Sequence, residues 1–218
     1  GLVGAGRTEV VRALFGADKV LSGEIYLEGK RVSFRSPTDA IAAGLAFCPE
    51  DRKEQGLVLL RSIRDNVSIP VLSKIRRLLF LDRSAEAKLA DDAVAKYSIK
   101  TPSTDKIVAE LSGGNQQKVI LGRWTSDRVT TKILILDEPT KGIDVGTKAE
   151  IYQLICDFAK QGIGVIFISS ELPEVIGISD RIYVMRNGRI TGCVERVDAT
   201  EEKILALAMT DTSEGGVA

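Results

Sequence analysis

Histidine is absent from this 218-residue sequence, and cysteine and aromatic residues are sparse. Without an imidazole there is no histidine-ligated zinc site and no Ser-His or Cys-His catalytic pair. The three cysteines, Cys48, Cys156 and Cys193, are odd in number and show no C-x-x-C spacing. This pattern favours buried, reduced thiols over metal or redox roles.

Neither sign of charge predominates, because 30 Lys and Arg residues balance 30 Asp and Glu residues. A basic footprint for nucleic acid is therefore missing, and we expect no nucleic-acid partner. Long apolar runs are missing too, since no segment approaches the ~20 apolar residues that a membrane-spanning helix needs. At 44% hydrophobic residues, the chain still has enough apolar material for one core and a small subdomain.

The first informative segment that is present reads Leu-Ser-Gly-Gly-Asn-Gln-Gln-Lys over residues 111–118. Ser112, Gly113 and Gly114 supply flexible backbone immediately before a helix that the pattern predicts over 115–126. The free N–H groups and the dipole of a helix N-terminus favour a phosphate. By itself this segment is a weak indication of a phosphate site.

A carboxylate pair, Asp137 and Glu138, follows the apolar run of residues 133–136. The run predicts a buried strand, and open α/β sheets place their ligands at the carboxyl ends of such strands. One carboxylate of the pair suits Mg²⁺ and the other suits a hydrolytic water.

Residues 1–8, here called the glycine loop, fit a phosphate-binding loop of the form G-x-x-x-x-G followed by a cation and a hydroxyl. Arg7 stands where such loops carry Lys, and its planar fork is larger than an ammonium. Thr8 supplies the hydroxyl that faces Mg²⁺. A flexible terminus is the alternative interpretation of a glycine-rich stretch taken alone. Because a strand must feed such a loop, we expect the first strands of the sheet to be missing from this sequence.

In this order the motifs resemble the P-loop, signature and Walker B motifs of ABC-type ATPases. The resemblance implies ATP and Mg²⁺ as cofactors, with Thr8 and Asp137 on the metal and Glu138 and Ser170 as catalytic residues. The positions that the resemblance assigns to nucleotide binding are Gly1, Gly4, Gly6, Arg7, Thr8, Glu9, Glu50, Ser112, Gly113, Gly114 and Gln116. The adenine-stacking aromatic residue of the family would precede Gly1.

Residues 49–57, Pro-Glu-Asp-Arg-Lys-Glu-Gln-Gly-Leu, resemble the second nucleotide-binding domain of fused importers for ribose, galactose, arabinose and xylose. From charge alone, a solvated loop is the simpler interpretation. Glu50 replaces a Gln that in the family touches the metal, and Ser170 replaces a His that contacts the γ-phosphate. Residues 169–171 also suit an N-cap for the helix at Pro173. Residues 142–144 resemble the loop through which two such domains communicate.

By this resemblance, the chain is the energy-coupling ATPase domain of a sugar importer, peripheral on the cytoplasmic face of the inner membrane. Its expected partners are a second nucleotide-binding domain, transmembrane permease subunits and, indirectly, a sugar-binding protein. The two domains would pack head to tail, so that this one has a weakened site of its own and lends its signature to a competent site. The alternatives are a soluble ABC-type ATPase that is not linked to transport and a non-hydrolysing regulatory module.

The predicted fold is an α/β P-loop NTPase with a mostly parallel sheet and an inserted helical subdomain. We expect the ATPase core over 1–55 and 111–195, the helical subdomain over 56–110, and a C-terminal helix and tail over 196–218. Residues 74–80 are interpreted as an amphipathic face packed on the subdomain, with lipid headgroups or a partner helix as the alternative. Trp124 is expected in the core. Other elements are predicted at 8–15, 24–27, 36–44, 45–48, 82–98, 147–160, 165–168, 182–186, 189–191 and 200–209.

Overall fold

The structure is a computed structural model that describes residues 4–77, 80–126 and 128–209. Its helices are α1 (Arg7–Leu14), α2 (Pro37–Ala43), α3 (Ile63–Ser68), α4 (Arg83–Lys96), α5 (Gly113–Trp124), α6 (Val145–Lys160), α7 (Leu172–Ile178) and α8 (Glu201–Met209). Its strands are β1 (Ile25–Leu27), β2 (Lys30–Val32), β3 (Leu45–Cys48), β4 (Arg76–Arg77), β5 (Phe80–Leu81), β6 (Ile133–Asp137), β7 (Gly164–Ile168), β8 (Arg181–Arg186) and β9 (Arg189–Glu195). Single helical turns of other types lie at Arg52–Gly56, Ile69–Val71, Val108–Glu110 and Arg196–Asp198.

The centre of the fold is a parallel sheet in the order β3-β6-β7. The central strand β6 is buried along Leu134, Ile135 and Leu136, which have no solvent exposure. Parallel neighbours require long crossover connections, and helices α5 and α6 lie in those connections. The predicted α/β fold with a parallel sheet is therefore confirmed.

Strand β7 is less buried than the sequence predicts. The run at 165–168 predicts a buried strand, but Ile166 is 37% exposed and its neighbours in the strand are only half-buried. In the described part of the chain β7 pairs with β6 on one side alone, so it is an edge strand. A continuous apolar run does not tell an edge strand from a central one, and this accounts for the error.

Trp124, at the end of α5, ties this helix to the sheet. It is 5% exposed, and its indole Nε1 donates to the carbonyl of Phe47 in β3 at 2.9 Å. The Phe15 ring packs against both of these rings at an angle, and its centroid is 5.3 Å from that of Phe47 and 6.2 Å from that of Trp124. The prediction that Trp124 lies in the core is confirmed.

The segment 56–110 contains α4, which the sequence predicts over 82–98, and also helix α3 and a hairpin that are not predicted individually. An amphipathic face is expected over 74–80, but β4 and β5 pair there as two short antiparallel strands. Ile75 is buried beside Val71 and Leu89, whereas Phe80 is 78% exposed. Residues 78 and 79 lie outside the described ranges. Seven residues are too few for periodicity to separate a helix from a hairpin.

The C-terminal part forms a second small core from the β8–β9 hairpin and α8. Its buried members are Ile182, Val184, Ile204 and Ala208. Asn187 and Gly188 form the turn with φ of 48° and 75°, as the Asn-Gly signal predicts. The tail expected at 210–218 lies outside the described residues. None of the described helices has both the length and the apolar character that a membrane crossing requires.

Arg123 is a buried cation that joins three segments of the fold. Its side chain donates from Nη1 to the Gly56 carbonyl at 2.7 Å, from Nε to the Asn66 carbonyl at 2.8 Å and from Nη2 to Asn66 Oδ1 at 3.2 Å. Burial lowers the pKa of Arg123 to about 10, which leaves the side chain charged at neutral pH. The charge is tolerated because carbonyl dipoles surround it.

We expect Arg123→Ala to reduce the free energy of unfolding by at least about 2 kcal/mol, because it leaves the Gly56 and Asn66 carbonyls without their donors. Urea denaturation followed by circular dichroism measures this loss. Arg31→Ala is the control, since Arg31 is exposed and pairs with Glu24 at the surface; its effect should stay below about 1 kcal/mol. Equal effects of the two variants would contradict a structural role for the Arg123 hydrogen bonds.

Candidate functional site

The glycine loop leads into α1 with its first backbone N–H groups uncapped. Gly4 and Gly6 have φ of 78° and 90°, a left-handed conformation that glycine adopts at little cost. Gly6 is the N-cap of α1, and no side chain of the described residues caps this end. Free N–H groups and the helix dipole favour an anion there. Glu9 is exposed in the first turn, and Gly1 lies outside the described ranges.

The turn of the β8–β9 hairpin supports the glycine loop. The Gly188 N–H donates to the Ala5 carbonyl at 2.9 Å. A Cβ on Gly6 would lie 2.9 Å from the Cα of Gly188, closer than real Cβ contacts. Glycine at position 6 is therefore required by this contact as well as by its φ. The sequence predicts the hairpin but gives no sign that it contacts the loop.

Asp137 ends β6 and is only 1% exposed. Within the described ranges neither of its oxygens has a hydrogen bond of normal geometry. Burial raises the pKa of Asp137, while the nearby Thr8 hydroxyl opposes this shift. A hard cation with oxygen ligands would satisfy such a carboxylate, so the residues present fit a Mg²⁺ ion held by Asp137 and Thr8.

Glu138 lies beside Arg7 and Ser170. Glu138 Oε1 is 3.3 Å from Arg7 Nη2, and its Oε2 accepts from the Ser170 hydroxyl at 3.2 Å. Arg7 Nη1 also donates to the Ser169 carbonyl at 2.8 Å. The guanidinium therefore bridges the ends of β6 and β7. Glu138 itself has φ of 46°, a strained value for a residue with a side chain.

A buried carboxylate, Glu174 of α7, is hydrogen-bonded to residues that follow both of these strands. It accepts hydrogen bonds from Thr140 Oγ1, Ser169 Oγ, Lys148 Nζ and Tyr152 OH. Burial would raise the pKa of Glu174, but these four donors together lower it. Burial and the bond to Glu174 raise the pKa of Tyr152 to about 12. Glu174 is thus held as a carboxylate.

Glu50 lies at the surface, and its charge adds to the burial that raises the pKa of Asp137. Its side chain is 40% exposed, and Oε1 is 2.7 Å from Lys141 Nζ. The next residues continue into the π-helical turn Arg52–Gly56, which Asp51 caps by accepting from the Lys53 N–H. The solvated loop that charge alone favours is therefore a short ordered turn paired with the loop after β6.

The signature segment (residues 111–118) begins α5. Ser112 is the exposed N-cap, and its Oγ lies 3.5 Å from the Asn115 N–H and 2.8 Å from Asn115 Nδ2. Gln116 points inward instead, since it is 3% exposed and donates from Nε2 to the Val108 carbonyl at 3.2 Å. The structure thus exposes Ser112 at the helix N-terminus and buries Gln116 in the core.

Both signature glycines are packed against other parts of this chain. A Cβ on Gly113 would be 2.7 Å from Arg52 Nη2, and one on Gly114 would be 2.2 Å from Thr147 Cγ2. Thr147 is fixed at the start of α6, because its N–H and its hydroxyl donate to Asp144 Oδ1 and Oδ2 at 2.9 Å and 2.8 Å. Asp144, in the segment 142–144, therefore holds Thr147 where its side chain leaves no room for a Cβ at residue 114.

The structure brings together one group of the predicted site residues around the end of β6. This group is Arg7, Thr8, Asp137, Glu138 and Ser170. In the described chain, the hydrogen bonds of Ser112 and Gln116 reach none of these five residues. The signature segment therefore forms a second, separate group.

Sequence reasoning missed Arg52, Thr147, Glu174 and Gly188. Arg52 is part of a charged run that favours a solvated loop, and Glu174 stands in the first turn of a helix, where acidic residues are common. Their functions in the fold depend on which distant segments they meet. The Asn-Gly turn is the one local signal among them, and it indicates the hairpin but not its contact.

Comparisons with known proteins identify the family of this chain. Residues 1–141 match the sequence model of a family described as ABC transporter. The arabinose import ATP-binding protein AraG of Mannheimia succiniciproducens is 52% identical over 214 residues, 97% of this chain and 42% of that protein. The ribose import ATP-binding protein RbsA of Bacillus licheniformis is 45% identical over 208 residues, 95% of this chain and 42% of that protein. The chain spans about two fifths of the length of these curated relatives.

Solved structures share the fold at low sequence identity. A dimeric ATP-binding cassette in a post-hydrolysis state bound to ADP and phosphate has a TM-score of 0.74 at 20% identity, over 88% of this chain and 82% of that one. An ATP-binding cassette of an ABC transporter has a TM-score of 0.78 at 21% identity, over 96% and 86% of the two chains.

We expect Gly114→Ala to destabilise the protein by about 1–3 kcal/mol, the range for overpacking, because its Cβ collides with Thr147. Adding Thr147→Ser removes the clashing Cγ2, keeps the hydroxyl bond to Asp144 and should recover part of the loss. Chemical denaturation of the single and double variants measures both effects.

Gly177→Ala is the matched control for this experiment. Gly177 lies in α7, and a Cβ there meets no atom within 4 Å. The substitution should be neutral or stabilising, because alanine favours a helix. If Gly114→Ala proves as well tolerated as this control, then the contact with α6 does not determine glycine at position 114.

Proposed function

This chain belongs to the ABC transporter family, and we propose that it is the ATP-binding domain that couples ATP hydrolysis to the import of a monosaccharide. The observation that carries the proposal is the buried carboxylate of Asp137, which has no hydrogen-bond partner among the described residues and lies near Thr8 and Glu138. The uncapped N-terminus of α1 begins at the glycine loop beside it. This arrangement suits a nucleoside triphosphate that arrives with its divalent cation.

We assign the phosphates of ATP to the glycine loop and the first turn of α1. Thr8 and Asp137 would hold Mg²⁺, which when bound neutralises phosphate charge. Glu138 is the general base or water-orienting group, and Ser170 holds its carboxylate from the other side. Glu50 is paired with Lys141 at the surface, and this exposed pair costs little to break if Glu50 joins the group.

The site on this domain's own glycine loop is proposed to be the weaker one. Arg7 stands where a phosphate-binding Lys is expected, and its guanidinium is already occupied by Glu138 and the Ser169 carbonyl. This ion pair also favours the second candidate function, a nucleotide-binding module with no turnover of its own.

A second nucleotide-binding domain is the proposed partner, packed head to tail with this one. Ser112 is exposed at the N-terminus of a 12-residue helix, where it could meet the phosphates of an ATP bound to the partner. One structural neighbour is titled as a dimeric cassette with ADP and phosphate. We infer the same arrangement here, with the signature segment completing the competent site.

Sugar import rests on the relatives. They are named as import proteins for arabinose and ribose, and the match covers nearly all of this chain. We propose that the protein works at the cytoplasmic face of the membrane with two permease subunits and, through them, a sugar-binding protein. The balanced charge of 30 basic and 30 acidic residues gives no support to a nucleic-acid partner.

The proposal predicts unequal effects of Ser112→Asp and Glu138→Gln on the reconstituted importer. Aspartate caps a helix as well as serine, so α5 stays intact. Its negative charge would repel the partner's bound phosphates and disrupt a site where one lost donor costs roughly 10²–10³ in rate. Glu138→Gln affects only the weaker site and should leave a substantial fraction of activity.

Steady-state ATP hydrolysis and sugar uptake in proteoliposomes measure both variants. Thermal unfolding should show that Ser112→Asp is as stable as the wild type. Equal damage by the two substitutions would mean that both sites turn over and that this domain is not mainly a signature donor. A wild-type importer that hydrolyses no ATP would refute the proposed function itself.

We expect Arg7→Ala to weaken binding of a fluorescent ATP analogue. The lost charge-assisted contact is worth about 1.5–3 kcal/mol, or roughly ten- to hundredfold in Kd. Equilibrium titration measures the change. The control is Arg12→Ala on the same helix, whose guanidinium pairs with Asp18. Unchanged affinity in Arg7→Ala would show that Arg7 contacts only Glu138 and Ser169.

A further inference from the structure

Arg52 contacts two segments that lie far from it in sequence. Its Nη1 donates to the Lys141 carbonyl at 2.7 Å, and its Nη2 donates to the Gly142 carbonyl at 3.4 Å. The same Nη2 lies against the signature segment, because a Cβ on Gly113 would approach it to 2.7 Å. One side chain therefore meets both the loop after β6 and the start of α5.

The Arg52 side chain is half-buried, whereas the charged residues next to it in sequence are exposed. Burial lowers the pKa of Arg52, and its Nε is buried with no partner among the described residues. The neighbouring pair of Glu50 and Lys141 joins the same two segments but is exposed, and such pairs contribute little. Arg52 is thus the main link between the π-helical turn and the loop after β6.

The two segments that Arg52 contacts belong to different nucleotide sites under the proposed function. The Lys141 N–H donates to the backbone carbonyl of Glu138 at 3.1 Å, so the first segment is joined to the backbone of the residue that carries this domain's own carboxylate. Gly113 belongs to the signature segment, which serves the partner's site. The Arg52 guanidinium lies between these two segments.

We propose that Arg52 is a positioning residue that fixes the signature segment against the loop after Glu138 and thereby couples the two nucleotide sites. This inference rests on the proposed function, and Arg52 itself touches no nucleotide in it. The planar fork is required because two consecutive carbonyls are bound at once. A lysine ammonium on a flexible stem can reach one of them but does not fix their relative orientation.

The test compares Arg52→Ala, Arg52→Lys and the control Lys53→Ala in the natural protein assembled with its membrane subunits. Lys53 is the adjacent basic residue and is exposed. Hydrogen exchange with mass spectrometry should show faster exchange in both segments, residues 111–118 and 139–144, for Arg52→Ala. Arg52→Lys should be intermediate, and Lys53→Ala should match the wild type. Acceleration in only one segment, or in neither, overturns the proposed link.

The functional consequence is measured on the same samples. Misplacement of catalytic donors lowers turnover more than binding, so kcat for ATP should fall at least about tenfold in Arg52→Ala while KM changes less than about twofold. An unchanged urea midpoint excludes general unfolding as the cause. Faster exchange with unchanged kcat overturns the coupling between sites. If the wild type hydrolyses no ATP, the proposed function fails, and the exchange data still decide whether Arg52 links the two segments.

Discussion

The parallel pairing of β6 with β7 is the constraint on which the candidate site depends. Asp137 pairs with Ile168 at the end of the ladder, and the Glu138 N–H continues it by donating to the Ile168 carbonyl at 2.9 Å. The chain then turns at Glu138 through a positive φ, which costs of order 1 kcal/mol for a residue with a Cβ. That turn places the Glu138 carboxylate beside the residues that follow β7. A register shift of one residue would exchange the directions of Asp137 and Glu138.

Glu174 shows how this local strain is maintained. Its carboxylate binds Thr140, two residues after Glu138, and Ser169, one residue after β7. Because its folded pKa is lowered, Glu174 adds stability that is fully present above the unfolded pKa of about 4.3 and is lost as pH falls through the folded value. At neutral pH both strand ends are therefore tied to one buried charge.

Much of the fold could be predicted because its signals are local. The apolar run before Asp137, the Asn187-Gly188 turn and the Ser36-Pro37 helix start act over a few residues, and the structure contains all three elements. The edge position of β7 and the β4–β5 hairpin could not be predicted, since each depends on which segments become neighbours.

For the candidate site, too, some features could be predicted from the sequence and others could not. The resemblance of the motifs to those of ABC-type ATPases named the residues around the end of β6 and identified the signature segment. It could not show that Gln116 is buried, or that Gly114 is required by contact with Thr147. Pattern alone gives a phosphate-binding reason for glycine at 114. The packing against α6 is a second reason that would hold without any ligand, so a substitution there tests two properties at once.

Arg7 contacts residues at both strand ends of the candidate site. A lysine at this position would present a single charge, which can leave a carboxylate for a phosphate with little rearrangement. The arginine fork instead spans the Ser169 carbonyl and Glu138, one contact on each strand end. A phosphate that recruits this guanidinium must compete with both contacts, and its arrival would release the Glu138 carboxylate. Under the proposed function, nucleotide binding and the release of Glu138 at this site are thus coupled through the same residue, and breaking the two contacts lowers nucleotide affinity. This cost gives a physical reason why a domain with an intact carboxylate pair would contribute more through its signature segment than through its own glycine loop.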